Sequence, residues 1–201
     1  MGSEMCIRDS PKVAEDVLIP YEWIEIANEN WKRLQEEGFI PKKKAKVGAD
    51  VAGMGRDDSV LCPRYGNYVP RFEAHQSAGT ADHMHVAGMI SKYLNRKGTK
   101  AFIDTIGEGA GVFSRLQELG YNNAYSCKFS ESARGLHDIT GEYTFSNMRA
   151  YLFWAVRDWL NPKNGFGAAL PPCDRLMEEA TETHWKFMSN GSIIIEPKED
   201  I

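Results

Sequence analysis

The sequence lacks three features that would assign a protein class at once: paired cysteine motifs, a long apolar run and an excess of basic charge. Its four cysteines stand apart without C-x-x-C spacing, which argues against a zinc knuckle or a disulfide framework and favours a reducing compartment. No stretch approaches the roughly 20 consecutive apolar residues that span a bilayer. The first ten residues also have no apolar core of a signal peptide.

The charge balance excludes a protein whose whole surface binds nucleic acid. The chain has 24 basic and 28 acidic residues, a formal net charge of -4, whereas such proteins are strongly basic. A local basic patch is still allowed. With 201 residues, 42% of them hydrophobic, the chain suits one domain with a substantial core.

The order of predicted elements indicates an α/β fold. Three strands joined by short turns between residues 45 and 76 predict an antiparallel meander. A helix over 80–98, with Thr80 as its N-cap, leads to strand, helix, strand patterns that require crossovers and therefore parallel pairing. A further helix is predicted over 171–188. The sum is a mixed sheet, antiparallel in strands 1–3 and parallel after, with helices on both faces.

Two aspartates hold equivalent positions in this pattern. Asp50 ends the buried stretch of the first strand and Asp104 ends "AFID", each just before a glycine-containing turn. A buried carboxylate costs several kcal/mol unless it is compensated. If the two strands are neighbours, both carboxylates face one gap, and a divalent cation relieves their repulsion. Oxygen-only ligands select Mg²⁺ or Mn²⁺, and two such ions about 4 Å apart can drive phosphodiester hydrolysis.

Five segments in order carry a family resemblance: "VGADVAGMGRDDSVL", "AFIDTIGEGAGVFSRLQELG", "FSNMRAYLFWAVRDWL", "LPPCDRLMEEA" and "GSIIIEPKEDI". Together they resemble the nuclease domain of the large terminase subunit of tailed bacteriophages, from about residue 19 to the end of the chain. The resemblance implies an RNase H-like (RuvC-like) fold. It also implies a metal-dependent endonuclease that cuts concatemeric viral DNA when packaging starts and ends.

The resemblance assigns roles to individual residues and partners. Asp50 corresponds to the first-strand metal ligand, Asp104 to the second acid, and Asp57 or Asp58 to a possible auxiliary ligand. The implied cofactor is Mg²⁺ or Mn²⁺ in a two-metal site. The implied partners are double-stranded DNA, a terminase ATPase domain, the small terminase subunit and the portal protein, in the cytoplasm of an infected bacterium.

The domain boundaries follow from the same resemblance. Residues 1–18 are expected to be a leader or an expression-derived addition, 19–46 a linker helix with a basic connector, and 47–201 a C-terminally truncated nuclease domain. In the family a later Ser-Pro-Asp segment completes the metal site. We therefore expect the third acid to lie beyond Ile201, because Glu199 and Asp200 are poor substitutes for it.

Other polar groups give weaker predictions. A DNA-binding rim is expected to include Arg56, Arg64 and Lys97, whereas the connector "PKKKAK" is best explained as a solvated linker. The segment "DHMH" offers His83 and His85 as metal ligands. Residues two apart on a helix point in different directions, however, which disfavours shared ligation.

Two other functions fit parts of the pattern. ATP phosphotransferases of the actin, Hsp70 and sugar-kinase group also begin with a strand, an aspartate and a glycine turn, but they need two duplicated domains. The other alternative is a catalytically inactive fragment that docks on DNA or on the portal.

Overall fold

A computed structural model describes residues 16–53, 57–77 and 82–196 of the chain. Five helices lie within these ranges: α1 (Tyr21–Glu36), α2 (His83–Leu94), α3 (Gly109–Glu118), α4 (Met148–Leu160) and α5 (Asp174–Thr181). Seven strands accompany them: β1 (Lys46–Asp50), β2 (Asp58–Arg64), β3 (Glu73–Gln76), β4 (Lys100–Asp104), β5 (Ala124–Cys127), β6 (Trp185–Phe187) and β7 (Ile193–Ile195).

The central sheet has five strands in the order β3-β2-β1-β4-β5. Strands β1, β2 and β3 pair antiparallel, whereas β4 pairs parallel with both β1 and β5. The predicted fold class, a mixed sheet that is antiparallel first and parallel after, is confirmed.

A first hydrophobic core lies between one face of this sheet and the helices α2 and α3. Residues alternate along β1, so that Val47 and Ala49 are buried while their neighbours are exposed. Ala101 and Ile103 do the same in β4. Apolar rows of both helices cover them: Val86, Ala87, Ile90 and Leu94 from α2, and Val112 and Leu116 from α3. This packing fixes the position of both strand ends.

A second core joins α1 and α4 to the small hairpin of β6 and β7. Its members include Ile24 of α1, Trp154 of α4 and Ile193 of β7. Strand β2 separates the two cores, because Leu61 belongs to the first and Cys62 packs against the second. Helix α1 is therefore part of the folded domain, which differs from the predicted linker.

The chain before α1 also contributes to the fold. Leu18 is fully buried, and its N–H donates to the Thr183 carbonyl at 2.8 Å. Val17 forms an isolated bridge with His184. Val17 and Leu18, which the sequence assigns to the leader, therefore contact the domain, while residues 1–15 lie outside the described ranges.

The sheet leaves part of its second face open. Gly48, Phe102 and Tyr125 lie side by side on β1, β4 and β5, and the two aromatic residues are 38% and 40% exposed. Their rings stack with centroids 5.4 Å apart. Helices α2 and α3 cover the opposite face, so this open surface leads directly to the ends of β1 and β4.

Two predicted elements differ from the structure. The helix predicted over 171–188 ends at Thr181, because Trp185 pairs with β7 as a strand and packs edge-on against Trp154. Helix α2 is capped by Asp82, whose carboxylate accepts the His85 N–H at 3.0 Å, whereas the predicted cap Thr80 lies outside the described residues. None of the described helices is both long and apolar enough to cross a membrane.

Candidate metal centre at the sheet edge

The structure brings Asp50 and Asp104 together. Both end their strands, and the parallel register pairs Ala49 with Ile103, so the next position on each strand is one of the two aspartates. Neighbouring strands lie about 4.8 Å apart. The alternation along both strands places the two side chains on the open face. The condition for the predicted juxtaposition, that these two strands are neighbours, is met.

Asp50 differs from the sequence-based expectation in its burial. The prediction places this carboxylate in a buried stretch, but the residue is exposed because the burial alternation puts it on the uncovered face. Partial desolvation still raises the pKa of Asp50, and the charge of Asp104 raises it further. Asp50 is therefore a carboxylate beside like charge, for which a bound cation is favourable.

Hydrogen bonds just after each strand hold the aspartates in place. After β1, the Ala52 N–H donates to the buried Ser59 hydroxyl on β2 at 3.0 Å. After β4, Asp104 Oδ1 accepts the Ile106 N–H at 3.0 Å. Helix α3 then begins so close to β4 that a Cβ atom on Gly109 would lie 1.7 Å from the Asp104 carbonyl oxygen. The geometry at Asp104 thus depends on a glycine at the start of α3.

The two auxiliary candidates lie close to this pair. Asp58 shares its side of β2 with Val60, the register partner of Asp50. The charge of Asp57 contributes to the raised pKa of Asp50. Both Asp57 and Asp58 therefore stay candidates for a further oxygen ligand.

Helix α5 brings a positive charge toward these two acids. Arg175 is paired mainly with Glu179, whose hydrogen bond is the largest cause of the raised pKa of Arg175. The charges of Asp57 and Asp58 raise the pKa of Arg175 further. The charge of Arg175 on α5 therefore interacts with the auxiliary acids, a long-range relation that no local pattern predicts.

Sequence reasoning missed a third carboxylate at this edge. Glu108 Cγ lies 3.2 Å from where a Cβ on Gly53 would be, so its side chain rests on the turn that follows Asp50. His83 of α2 holds it, with 2.7 Å between Nε2 and Glu108 Oε2. The sequence feature that could have predicted this carboxylate is the position of Glu108, which follows Asp104 by four residues in the glycine-containing turn.

The predicted basic residues lie at the other end of the strands. Arg64 lines an open cleft of about 270 Å³ together with Lys43, Lys44, Lys46, Gly66 and Asn67. The turn that contains Lys97 is adjacent, because a Cβ on Gly98 would lie 3.1 Å from Lys44 Cγ. The connector lysines, expected to be only a solvated linker, therefore help form a basic cleft. Arg56 lies outside the described residues.

The chemistry of the edge suits a hard divalent cation. Asp50 and Asp104 offer only oxygen donors, the type that Mg²⁺ and Mn²⁺ prefer. Desolvation first, and then the charge of Asp104, raise the pKa of Asp50, and a bound cation offsets the repulsion between the two carboxylates. Asp50 and Asp104 therefore fit the role of ligands, with Asp57, Asp58 and Glu108 within the same region.

Solved structures share this fold. A mutant nuclease domain of the large terminase subunit of bacterial virus Sf6, solved with manganese and β-thujaplicinol, superposes with a TM-score of 0.69 and 20% identity, covering 90% of this chain and 87% of that one. The large terminase nuclease from thermophilic phage G20c with bound magnesium gives a TM-score of 0.52 and 15% identity, with 80% and 75% coverage.

The likeness lies in three-dimensional structure rather than in close sequence. No protein-family model and no curated protein sequence gives a significant match to this chain. The resemblance inferred from the five segments is confirmed at the level of architecture, and the chain has the RNase H-like fold of the nuclease domains of large terminase subunits.

Proposed function

We propose that this chain is a metal-dependent DNA endonuclease domain of a phage DNA-packaging terminase. The observation that carries the proposal is the placement of Asp50 and Asp104 side by side at the open edge of β1 and β4. The same fold is found in solved terminase nucleases with bound manganese or magnesium. The proposed reaction is two-metal phosphodiester hydrolysis that cuts concatemeric viral DNA.

Asp50 and Asp104 would hold the ions, and Asp57 or Asp58 would add an oxygen from β2. When bound, Mg²⁺ or Mn²⁺ stabilises charge on the phosphodiester oxygens and lowers the pKa of a coordinated water. The protein residues position this chemistry, since the Ser59 and Ile106 hydrogen bonds fix the two turns. The open face leaves room for DNA to approach the pair.

Glu108 is proposed as a supporting acid of this site. Its carboxylate lies on the turn after Asp50 and is oriented by the hydrogen bond with His83. Glu199 and Asp200, which the family resemblance marks as poor substitutes for a third acid, lie outside the described ranges. Glu108 supplies a carboxylate within the described part of the chain, and its removal should lower activity less than removal of Asp50.

The substrate is proposed to run along the open sheet face. Lys46 and Lys100 are register partners, both exposed, at the basic end of β1 and β4. From Lys46 to Asp50 is four residues, about 13 Å along a strand. Phe102 and Tyr125 lie between, and Lys100 Nζ is 5.4 Å from the Tyr125 ring centroid. Cations that contact phosphates are typical of nucleic-acid binding surfaces, and exposed aromatic rings stack on bases where the strands are separated.

Nicking of supercoiled plasmid DNA in Mn²⁺ tests the proposal. We expect the unaltered chain to nick, and Asp50→Asn or Asp104→Asn to lose more than the 10- to 100-fold that outer-shell partners of metal ligands usually contribute. Asp138→Asn is the matched control, because Asp138 is bonded to Thr140 and Tyr143 in the loop before α4. Cleavage that survives in Asp50→Asn at the same rate would refute the assignment.

The same preparation separates the alternatives. A large shift of melting temperature with ATP and none with Mn²⁺ would support an ATP phosphotransferase. Salt-sensitive DNA binding without any nicking would support an inactive docking fragment. As a terminase domain, the chain would act with an ATPase domain, the small subunit and the portal in the cytoplasm of the infected host.

A further inference from the structure

Three side chains that take no part in the proposed nuclease site meet where β3 and α2 come together. They are His75 at β3 and Asp82 and His85 at the start of α2. One nitrogen or oxygen atom from each lies within 4.8 Å of those of the other two. The rings of His75 and His85 stack with centroids 4.0 Å apart.

The distances within the group suit shared ligation better than hydrogen bonding. His75 Nε2 and Asp82 Oδ2 are 3.6 Å apart, which is beyond a normal N–H···O bond. Two ligand atoms at about 2.0–2.1 Å from a tetrahedral ion are about 3.4 Å apart. His75 Nε2 is also buried and has no hydrogen-bond partner among the described residues. The Nε2 atom of His75 therefore faces the Asp82 carboxylate at a distance longer than a hydrogen bond.

The surrounding fold fixes the three groups before any ligand binds. His75 pairs with Ser59 in the β2–β3 ladder. Asp82 Oδ1 accepts the His85 N–H as the N-cap of α2, which leaves Oδ2 on the side of His75. Helix α2 is anchored by buried Val86 and Ile90. The cap therefore orients the carboxylate, whereas the two imidazoles, stacked with an interplanar angle of 17°, must tilt apart for both nitrogens to face one ion.

The two histidines of "DHMH" go to different places, as expected for residues two apart on a helix. His83 pairs with Glu108 at the nuclease edge. His85 instead finds His75 across the junction with β3. The positions of His83 and His85 agree with the sequence-based argument against shared ligation by these two residues, whereas His75 lies on a different element, β3, and joins His85 only in the fold.

We propose that His75, Asp82 and His85 form a binding site for one divalent transition-metal ion of the zinc type. Imidazole nitrogens with one carboxylate are typical zinc ligands, and three protein ligands leave a fourth position for water. The bound ion would clamp the start of α2 to the edge strand β3. This donor set differs from the all-oxygen Asp50 and Asp104 pair, which prefers harder ions.

Metal titration of the purified chain tests the site without any nuclease assay. The parent protein carries Asp50→Asn, so that the carboxylate pair is weakened, and is first stripped with EDTA. Calorimetry with Zn²⁺ should show one site per chain. Titration with Co²⁺ should give the visible absorption of a four-coordinate ion. Zn²⁺ should also raise the melting temperature of the parent.

Two added substitutions examine the ligands. His85→Ala changes an exposed residue, and Asp82→Asn keeps an oxygen that can cap the helix, so both should fold. Each should weaken Zn²⁺ binding by at least about 10- to 100-fold and remove the rise in melting temperature. His137→Ala is the matched control, since it removes an exposed histidine elsewhere, and should bind as the parent does.

The result that overturns the proposal is equally specific. No saturable Zn²⁺ binding would mean that His75 and Asp82 form only an ion pair. Equal binding by the parent and by His85→Ala would place the ion elsewhere. Neither result bears on the nuclease proposal, which rests on Asp50 and Asp104.

Discussion

Replacing Asp50 by asparagine should stabilise the metal-free protein although it is expected to abolish cleavage. Asp50 and Asp104 end neighbouring strands about 4.8 Å apart. Two like charges about 5 Å apart repel by about 0.8 kcal/mol in water and about 3 kcal/mol at an effective dielectric constant near 20. Asp50 is exposed, so solvent screening favours the lower figure. We expect a gain of about 0.5–1 kcal/mol, or about 1–4 °C for a chain of this size.

The gain should depend on pH with a definite sign. Burial and the charge of Asp104 raise the pKa of Asp50 above its ordinary value of 3.8. A raised carboxyl pKa contributes stability that is present below the unfolded value and lost as the pH rises through the folded value. Asparagine keeps the neutral form at every pH. The difference between Asp50→Asn and the parent should therefore be near zero around pH 3 and complete at pH 7.

Thermal and urea unfolding in EDTA and in Mn²⁺ provide the measurement. Mn²⁺ should raise the melting temperature of the unaltered chain and have little effect on Asp50→Asn, because the ion binds only the folded carboxylate pair. A variant that is less stable than the parent in EDTA at pH 7 would refute the electrostatic argument. Equal stabilisation of both proteins by Mn²⁺ would refute the assignment of Asp50 as a ligand.

Asp138→Asn is a control for which the expected change in the free energy of unfolding has the opposite sign. Desolvation alone would raise the pKa of Asp138, but hydrogen bonds from Thr140 and from the Tyr143 backbone lower it overall. A lowered carboxyl pKa contributes stability that is present above the unfolded value and lost as the pH falls through the folded one. Asp138→Asn should therefore destabilise the protein at pH 7.

Three further predictions concern the scaffold and the substrate surface. Gly109→Ala should destabilise by about 1–3 kcal/mol, because its Cβ would meet the Asp104 carbonyl oxygen at 1.7 Å. Gly88→Ala, in α2 with open space around its Cβ, should be neutral or stabilise by about 0.5–1 kcal/mol, and urea unfolding compares the two. Lys46→Ala should weaken DNA binding for all sequences and reduce the slope of log affinity against log salt by about one, measured by fluorescence anisotropy. An unchanged slope would exclude a phosphate contact. Arg157→Met should cost about 1–3 kcal/mol in the free energy of unfolding, since the guanidinium donates to two backbone carbonyls that precede α1.

Local patterns determined the sheet and its pairing. Alternation in β1 and β4 and the helical periods between them required a mixed sheet, because apolar residues must share one face. The same patterns placed Asp50 and Asp104 each at the end of a strand, and the parallel pairing of β1 with β4 made those two ends neighbours. These features follow from the periodicity of apolar residues, which can be recognised within a single segment of the sequence.

Long-range packing changed the predicted ends of elements. The sequence of residues 182–188 contains no helix-ending pattern that separates them from α5. Trp185 lies in a strand because it pairs with β7 and packs against Trp154. From the sequence alone, helix α1 is likewise interpreted as a linker, whereas in the structure it packs in one core with α4. Such choices depend on partners distant in sequence, so local propensity does not settle them.

The sequence by itself determined which acids lie at or just after the ends of strands: Asp50, Asp104 and the acids that follow β1. Only the tertiary structure decided which groups join them. It placed Glu108 with His83 beside the ends of β1 and β4, and it brought His75 to Asp82 and His85. It also joined the connector lysines to Arg64. The physical reason is that spacing along one strand or helix fixes where side chains point, whereas contact between elements depends on how two cores pack around β2.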